Sequence, residues 1–189
     1  MADTEIASNV VVFNSFQRAA SLWVRTVLMP VLLDRSEGSC VVIAGFGRFG
    51  QSILEELQTL EGVNIPRVAI LAEDAERRIL VTKEQVTISS AFEFDSFQGD
   101  ISNPQVWSDL AGVSPINNPD NVFVLATDRG ADNLRTALWL RRQNASSPIF
   151  ARTNDAADFA ATVAAQQSID VVRLNELVGE FTPRSWLLD

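Results

Sequence analysis

The chain has no histidine and no tyrosine, one cysteine (Cys40) and one lysine (Lys83). Histidine is the usual general acid–base near neutral pH and the commonest metal ligand, so its absence removes most sites of both kinds. Without tyrosine, the Tyr/Lys proton relays common in nucleotide-dependent reductases cannot be built. Carboxylates alone would serve only if two of them were tuned apart. A lone cysteine allows no disulfide framework and no cysteine-based metal site, which suits a reducing, cytosolic setting. The composition therefore leans against an enzyme, with no catalytic residue and no metal site expected. Positive charge is also scarce: 15 Lys and Arg face 24 Asp and Glu, for a net charge of −9. Such a field repels nucleic acid and anionic membranes, although it leaves room for a local basic pocket for one phosphate.

An uninterrupted membrane-spanning run is missing too. Residues 9–33 are apolar, but Arg18 and Arg25 break the run, and each would cost about 2.5–3.5 kcal/mol at a bilayer centre. Phe13, Phe16, Ala20, Trp23, Val27 and Val31 recur at helical spacing, with Asn14, Arg18, Ser21 and Arg25 opposite them. The pattern predicts an amphipathic helix docked on the domain or on a partner. No small-residue cleavage pattern of a signal peptide accompanies it. At 189 residues and 47% hydrophobic, the chain can bury one good core. We divide it into an N-terminal helical segment, 1–36, and a domain over 37–189.

What the chain does have is a buried strand running into glycines. Cys40-Val41-Val42-Ile43-Ala44 leads to Gly45-Phe46-Gly47-Arg48-Phe49-Gly50, and Ile53, Leu54, Leu57 and Leu60 follow at helical spacing. In a strand–GxGxxG–helix unit the first glycine allows the tight turn and the second lets backbone N–H groups approach a pyrophosphate. The third lets helix and strand pack closely, and the helix N-terminus favours an anion. A nucleotide-binding turn is the reading, against the alternative of glycines needed only for packing.

The remaining chain alternates in the same way. Strands are expected over 66–72, 92–97, 121–126, 148–152 and 169–172, and helices from Glu73 to Leu80, after Asn103-Pro104, over 131–143 and from Asp155 to Gln166. Residues 82–90 read as a polar, β-branched connection. Trp107, Trp139 and the alanine-rich 156–165 read as packing residues, and Arg141-Arg142 as complements to a helix dipole. The alternation predicts an α/β fold: a Rossmann-like, doubly wound parallel sheet with an extra N-terminal amphipathic helix.

Taken in order, four motifs resemble the TrkA-N domain, also called the RCK or KTN domain. They are Val42 to Gly50, Gln98-Gly99-Asp100, Ala126-Thr127-Asp128 with Asn133-Leu134, and Phe150-Ala151-Arg152-Thr153-Asn154-Asp155, and the resemblance covers roughly residues 39–155. It implies a cytosolic, NAD-binding or adenine-nucleotide-binding regulatory module of a potassium channel or transporter, assembled as a homodimer or higher oligomer. The N-terminal segment and the long connection before the third strand look like a variant branch found in membrane-tethered multidomain proteins. The second regulatory subdomain is missing, as in a partial chain of such a protein.

By the same resemblance Gly45, Phe46, Gly47, Arg48, Phe49 and Gly50 form the phosphate loop, with Arg48 near the phosphates. Asp100 sits by the adenine edge, and Ala126, Thr127 and Asp128 border the crevice. Arg152 faces the distal phosphate or an adjoining subunit. Plainer roles stand beside these: Arg48 as a solvated arginine, Asp100 and Asp128 as helix caps, and Arg152 paired with Asp155. One departure matters. Where the family ends its second strand in an acid for the ribose, this chain has Ala72, with Glu73 one position later as the candidate replacement. NAD(H) is the first ligand implied. AMP, ADP or ATP remain open, as does NADP(H) held by Arg77 or Arg78. The alternatives in function are a nicotinamide-dependent oxidoreductase and a Rossmann-type interaction module without a ligand.

Overall fold

The computed structural model describes residues 14–36, 38–85, 92–143, 146–153 and 158–179. Phe13, the connection over 86–91, and Asn154 with Asp155 lie outside the described residues. Six strands, β1 (Cys40–Ala44), β2 (Arg67–Ala72), β3 (Glu93–Gln98), β4 (Val122–Leu125), β5 (Ile149–Thr153) and β6 (Asp170–Arg173), form one sheet in the order β3-β2-β1-β4-β5-β6. Every pairing is parallel, and Ile43 at the centre faces Ile70 on one side and Val124 on the other. The expected doubly wound parallel sheet is what forms.

Both faces are covered, which is why the central strands read as unbroken apolar runs. Val41, Ile43, Val68, Ile70, Val124 and Phe150 point to one core, and Val42, Ala69, Leu71, Phe123, Leu125 and Ala151 to the other. Helices α3 (Arg48–Leu57) and α4 (Ala75–Gln85) belong to the first core. Helices α5 (Pro104–Ala111), α6 (Gly130–Gln143) and α7 (Asp158–Gln166) belong to the second. Right-handed crossovers put the first pair over β1–β3 only, leaving bare the half of that face over β4–β6. The N-terminal segment fills it, together with α8 (Leu174–Gly179), an element not foreseen in the sequence. Trp23 meets Phe150 of β5 edge to face, with ring centroids 5.2 Å apart.

The N-terminal helix departs from simple periodicity. It runs as α1 (Ser15–Trp23), a π-helical turn (Val24–Leu28) and α2 (Met29–Leu33). The wider turn carries one extra residue, so the buried line passes from Ala20 and Trp23 to Val24, Leu28 and Leu32. Val27, expected to face inward, is 38% exposed instead. Pro30 follows at the start of α2, and in a regular helix its ring would crowd the carbonyl four residues back. Asn14 caps α1 by accepting from the Gln17 N–H at 3.2 Å.

A second difference lies in α4, which continues to Gln85 through part of the expected connection. Thr82 is buried and its hydroxyl donates to the Arg78 carbonyl at 2.8 Å, so a β-branched residue is accommodated inside the helix. No helix among the described residues is long and apolar enough to cross a membrane. Cys40 is 1% exposed at the start of the central strand, and burial pushes its thiol up to about 11.

Candidate functional site

The strand order reverses between β1 and β4, and in such sheets ligands enter the crevice beyond the strand ends at that point. Two glycines shape its floor. Gly45 turns the chain off β1 at φ 103°, and a Cβ there would lie 2.5 Å from the Thr127 nitrogen. A Cβ on Gly50 would lie 2.2 Å from the Gly45 carbonyl oxygen, so the first turn of α3 is pressed directly onto the turn. Gly47 differs from both. It precedes α3 with an ordinary backbone, and a Cβ there meets only an Arg78 guanidinium nitrogen, at 4.0 Å. Lacking a side chain, it offers the N–H groups of the first helical turn no side-chain cap, and it lines the crevice.

The crevice has a volume of about 340 Å³. It is lined by the turn Gly45-Phe46-Gly47, by Ala72, Glu73, Asp74 and Arg78 at and after the end of β2, and by Gly99, Ile101, Thr127, Asp128 and Arg129. The Phe46 ring is buried in the core, while its carbonyl accepts from Gln51 at 3.2 Å and from Arg78 at 3.3 Å. Asp74 pairs with Arg78 one helical turn on and holds it at the crevice. Arg77 is exposed and does not line the crevice.

Ala72 ends β2, and its carbonyl accepts from the Gly99 N–H at 2.9 Å. Glu73 then reaches the crevice mouth, where its Oε1 lies 2.9 Å from Arg129 Nη2. The same nitrogen is 3.0 Å from Asp100 Oδ2, and Arg129 Nε is 3.2 Å from Asp132. Asp100 also accepts from both the N–H and the hydroxyl of Ser102, each at 2.8 Å. The Ser102 bonds, with Arg129 adding to them, hold the Asp100 carboxyl down to about 2.

A depressed native pKa makes a signed prediction. The stability Asp100 contributes is fully present above its ordinary value of 3.8 and is lost as pH falls from there towards about 2. The gap in urea midpoint between the wild type and Asp100→Asn should therefore narrow between pH 5 and pH 2.

Two expected phosphate ligands point elsewhere. Arg48 is exposed, with its guanidinium carbon 6.0 Å from the Phe16 ring centroid. Arg152 is half-buried, 5.9 Å from the ring centroid of the buried Phe49, and donates to the Ala126 carbonyl at 3.4 Å. Burial lowers its pKa, with the Asp128 charge opposing. Neither arginine lines the crevice. Trp107 is buried as expected, and Trp139 tilts against it at 6.0 Å.

Asn133, part of the third motif but with no role assigned to it there, is wholly buried. It donates to the Thr127 and Arg152 carbonyls, both at 2.9 Å, and accepts from the Thr127 hydroxyl at 2.6 Å. It thereby ties the ends of β4 and β5 together. An amide in the first turn of a helix following a buried strand was the available signal. Arg129 carries no comparable signal, since its partners are 56 and 29 residues away.

The sequence model of the TrkA-N domain family matches residues 41–173, a stretch that takes in the six strands except Cys40 and the whole crevice. The chain belongs to the TrkA-N family. TrkA-N domains are Rossmann-type nucleotide-binding domains, typically the regulatory, non-enzymatic parts of potassium-transport systems. The crystal structure of the TrkA-N domain of the inner membrane protein ybaL from Escherichia coli shares the fold. Its TM-score is 0.54 at 14% identity, over 79% of this chain and 96% of that one. No curated protein sequence matches. In this TrkA-N domain the N-terminal helix and α8 lie outside the matched stretch. Among the described residues, no group of three or more His, Cys, Asp or Glu side chains is arranged to hold a metal ion.

Proposed function

We propose that this TrkA-N domain senses a nucleotide, NAD(H) in the first place, and regulates a potassium channel or transporter from the cytosolic side. One observation carries the reading: Gly47, which offers the first turn of α3 no side-chain cap, and Glu73 line the same crevice. The uncapped N-terminus of α3 suits a pyrophosphate. A carboxylate just beyond the second strand suits ribose hydroxyls, the role that Ala72 cannot fill. A 2′-phosphate would have to enter among Glu73, Asp74 and Asp100, whose partners Arg78 and Arg129 are already paired with them, which favours NAD(H) over NADP(H). Regulation then follows if the ligand binds one arrangement of a homodimer better than another and so shifts their populations.

A thermal-shift panel with NAD⁺, NADH, NADPH, AMP, ADP and ATP tests this. A ligand at a hundred times its Kd adds about 2.7 kcal/mol, or roughly 5–10 °C for a domain of this size. NADH should shift Tm more than NADPH. Gly47→Asp should abolish the shift, because a carboxylate there repels pyrophosphate, while its own Tm stays near the wild type. No shift with any nucleotide would leave an interaction module without a ligand, and turnover of a nicotinamide would make the domain an oxidoreductase.

A further inference from the structure

Arg129 occupies an unusual position. It begins on the β4 side of the crevice, yet one nitrogen of its guanidinium bonds to carboxylates beyond β2 and β3, Glu73 at 2.9 Å and Asp100 at 3.0 Å. These are the acids that would otherwise face a ribose and the edge of a base. The guanidinium thus lies across the mouth of the crevice. Its backbone is fixed, since its N–H donates to the Thr127 hydroxyl at 3.2 Å, so only the side chain is free to swing. A resting place is built in as well: Asp132, in the first turn of α6, holds Arg135 with one oxygen at 2.9 Å and Arg129 Nε with the other at 3.2 Å, and would keep Arg129 when the other contacts open.

We propose that Arg129 is a clasp that competes with the nucleoside part of the ligand for Glu73 and Asp100. This rests on the nucleotide reading and adds a regulatory element to it. In the ligand-free domain the guanidinium donates to both acids. Binding replaces those donors with the ribose hydroxyls and the base, and the guanidinium retreats to Asp132. The clasp opens at low cost, because the Arg129 side chain is 46% exposed and such pairs are weak and screened by salt. Competition of this kind lowers affinity without blocking entry.

The test uses adenosine, which has no charge, so that ionic strength acts on the clasp and not on the ligand. Calorimetric titrations would compare the wild type with Arg129→Gln at 20 and 300 mM NaCl, with NADH titrated in parallel. The variant should bind adenosine about three- to ten-fold tighter at low salt. Wild-type affinity should rise with salt, and that of the variant should not. Equal affinities with equal salt dependence would overturn the clasp and leave the nucleotide reading standing. Weaker binding by Arg129→Gln would also overturn it, making Arg129 a ligand contact. Failure of both proteins to bind adenosine and NADH would remove the nucleotide reading itself, and the clasp with it.

Discussion

Gly50→Ala should cost about 3 kcal/mol or more, the upper end for overpacking a core, and lower Tm by roughly 6–12 °C. The added carbon would lie 2.2 Å from the Gly45 carbonyl oxygen and 3.4 Å from Ile43 Cγ2. Neither neighbour has an easy retreat. Gly45 is itself fixed, its N–H donating to the Leu71 carbonyl at 2.7 Å, and Ile43 lies at the centre of the sheet. Relief requires α3 to lift away from β1, which would open both the core and the phosphate turn. Thermal denaturation followed by circular dichroism would measure the loss. Gly47→Ala is the matched control: three residues earlier, with nothing closer than 4.0 Å, it should lower Tm by only about 1–3 °C, the cost of alanine at a helix N-cap. If the two variants melt alike, the packing role assigned to Gly50 is wrong.

Trp23→Ala should be comparably severe, at about 3–5 kcal/mol, as for other large buried aromatics. Trp23 is 3% exposed and lies between Phe150 of the sheet and Phe49 of α3, with ring centroids 5.2 and 6.1 Å away. Urea unfolding distinguishes two consequences. If the N-terminal segment unfolds together with the sheet, the midpoint falls while the m-value holds. A smaller m-value would mean that the segment had already come away from the native state of the variant. Because Phe49 lies in the first turn of α3, directly after the glycine turn, nucleotide affinity should weaken along with stability.

The parts of this architecture that could be read from the sequence are those governed by local rules. Unbroken apolar runs at β1 and β4 announced strands covered on both faces, and the glycine spacing after β1 announced the turn. The position of Glu73 beside Ala72 marked the candidate ribose contact, and the structure does bring Glu73 to the crevice. The parts that could not be read depend on neighbours distant in sequence. Arg48 lies against Phe16 and Arg152 against Phe49, and nothing in their local sequence says so. Arg129 is defined by acids on two other strand ends. The π turn at Val24–Leu28 reflects the fit of a helix to a sheet it must cover, and periodicity at 3.6 residues cannot register an added residue.

The placement of Cys40 has one more consequence. The only thiol of the chain sits at the start of the innermost strand, shut off from solvent, and burial keeps it protonated up to about 11. A sulfhydryl reagent in neutral buffer finds neither an accessible sulfur nor a thiolate until the sheet itself comes apart. The speed of labelling then counts those openings, so the molecule carries its own clock for unfolding at its centre, with no engineered probe.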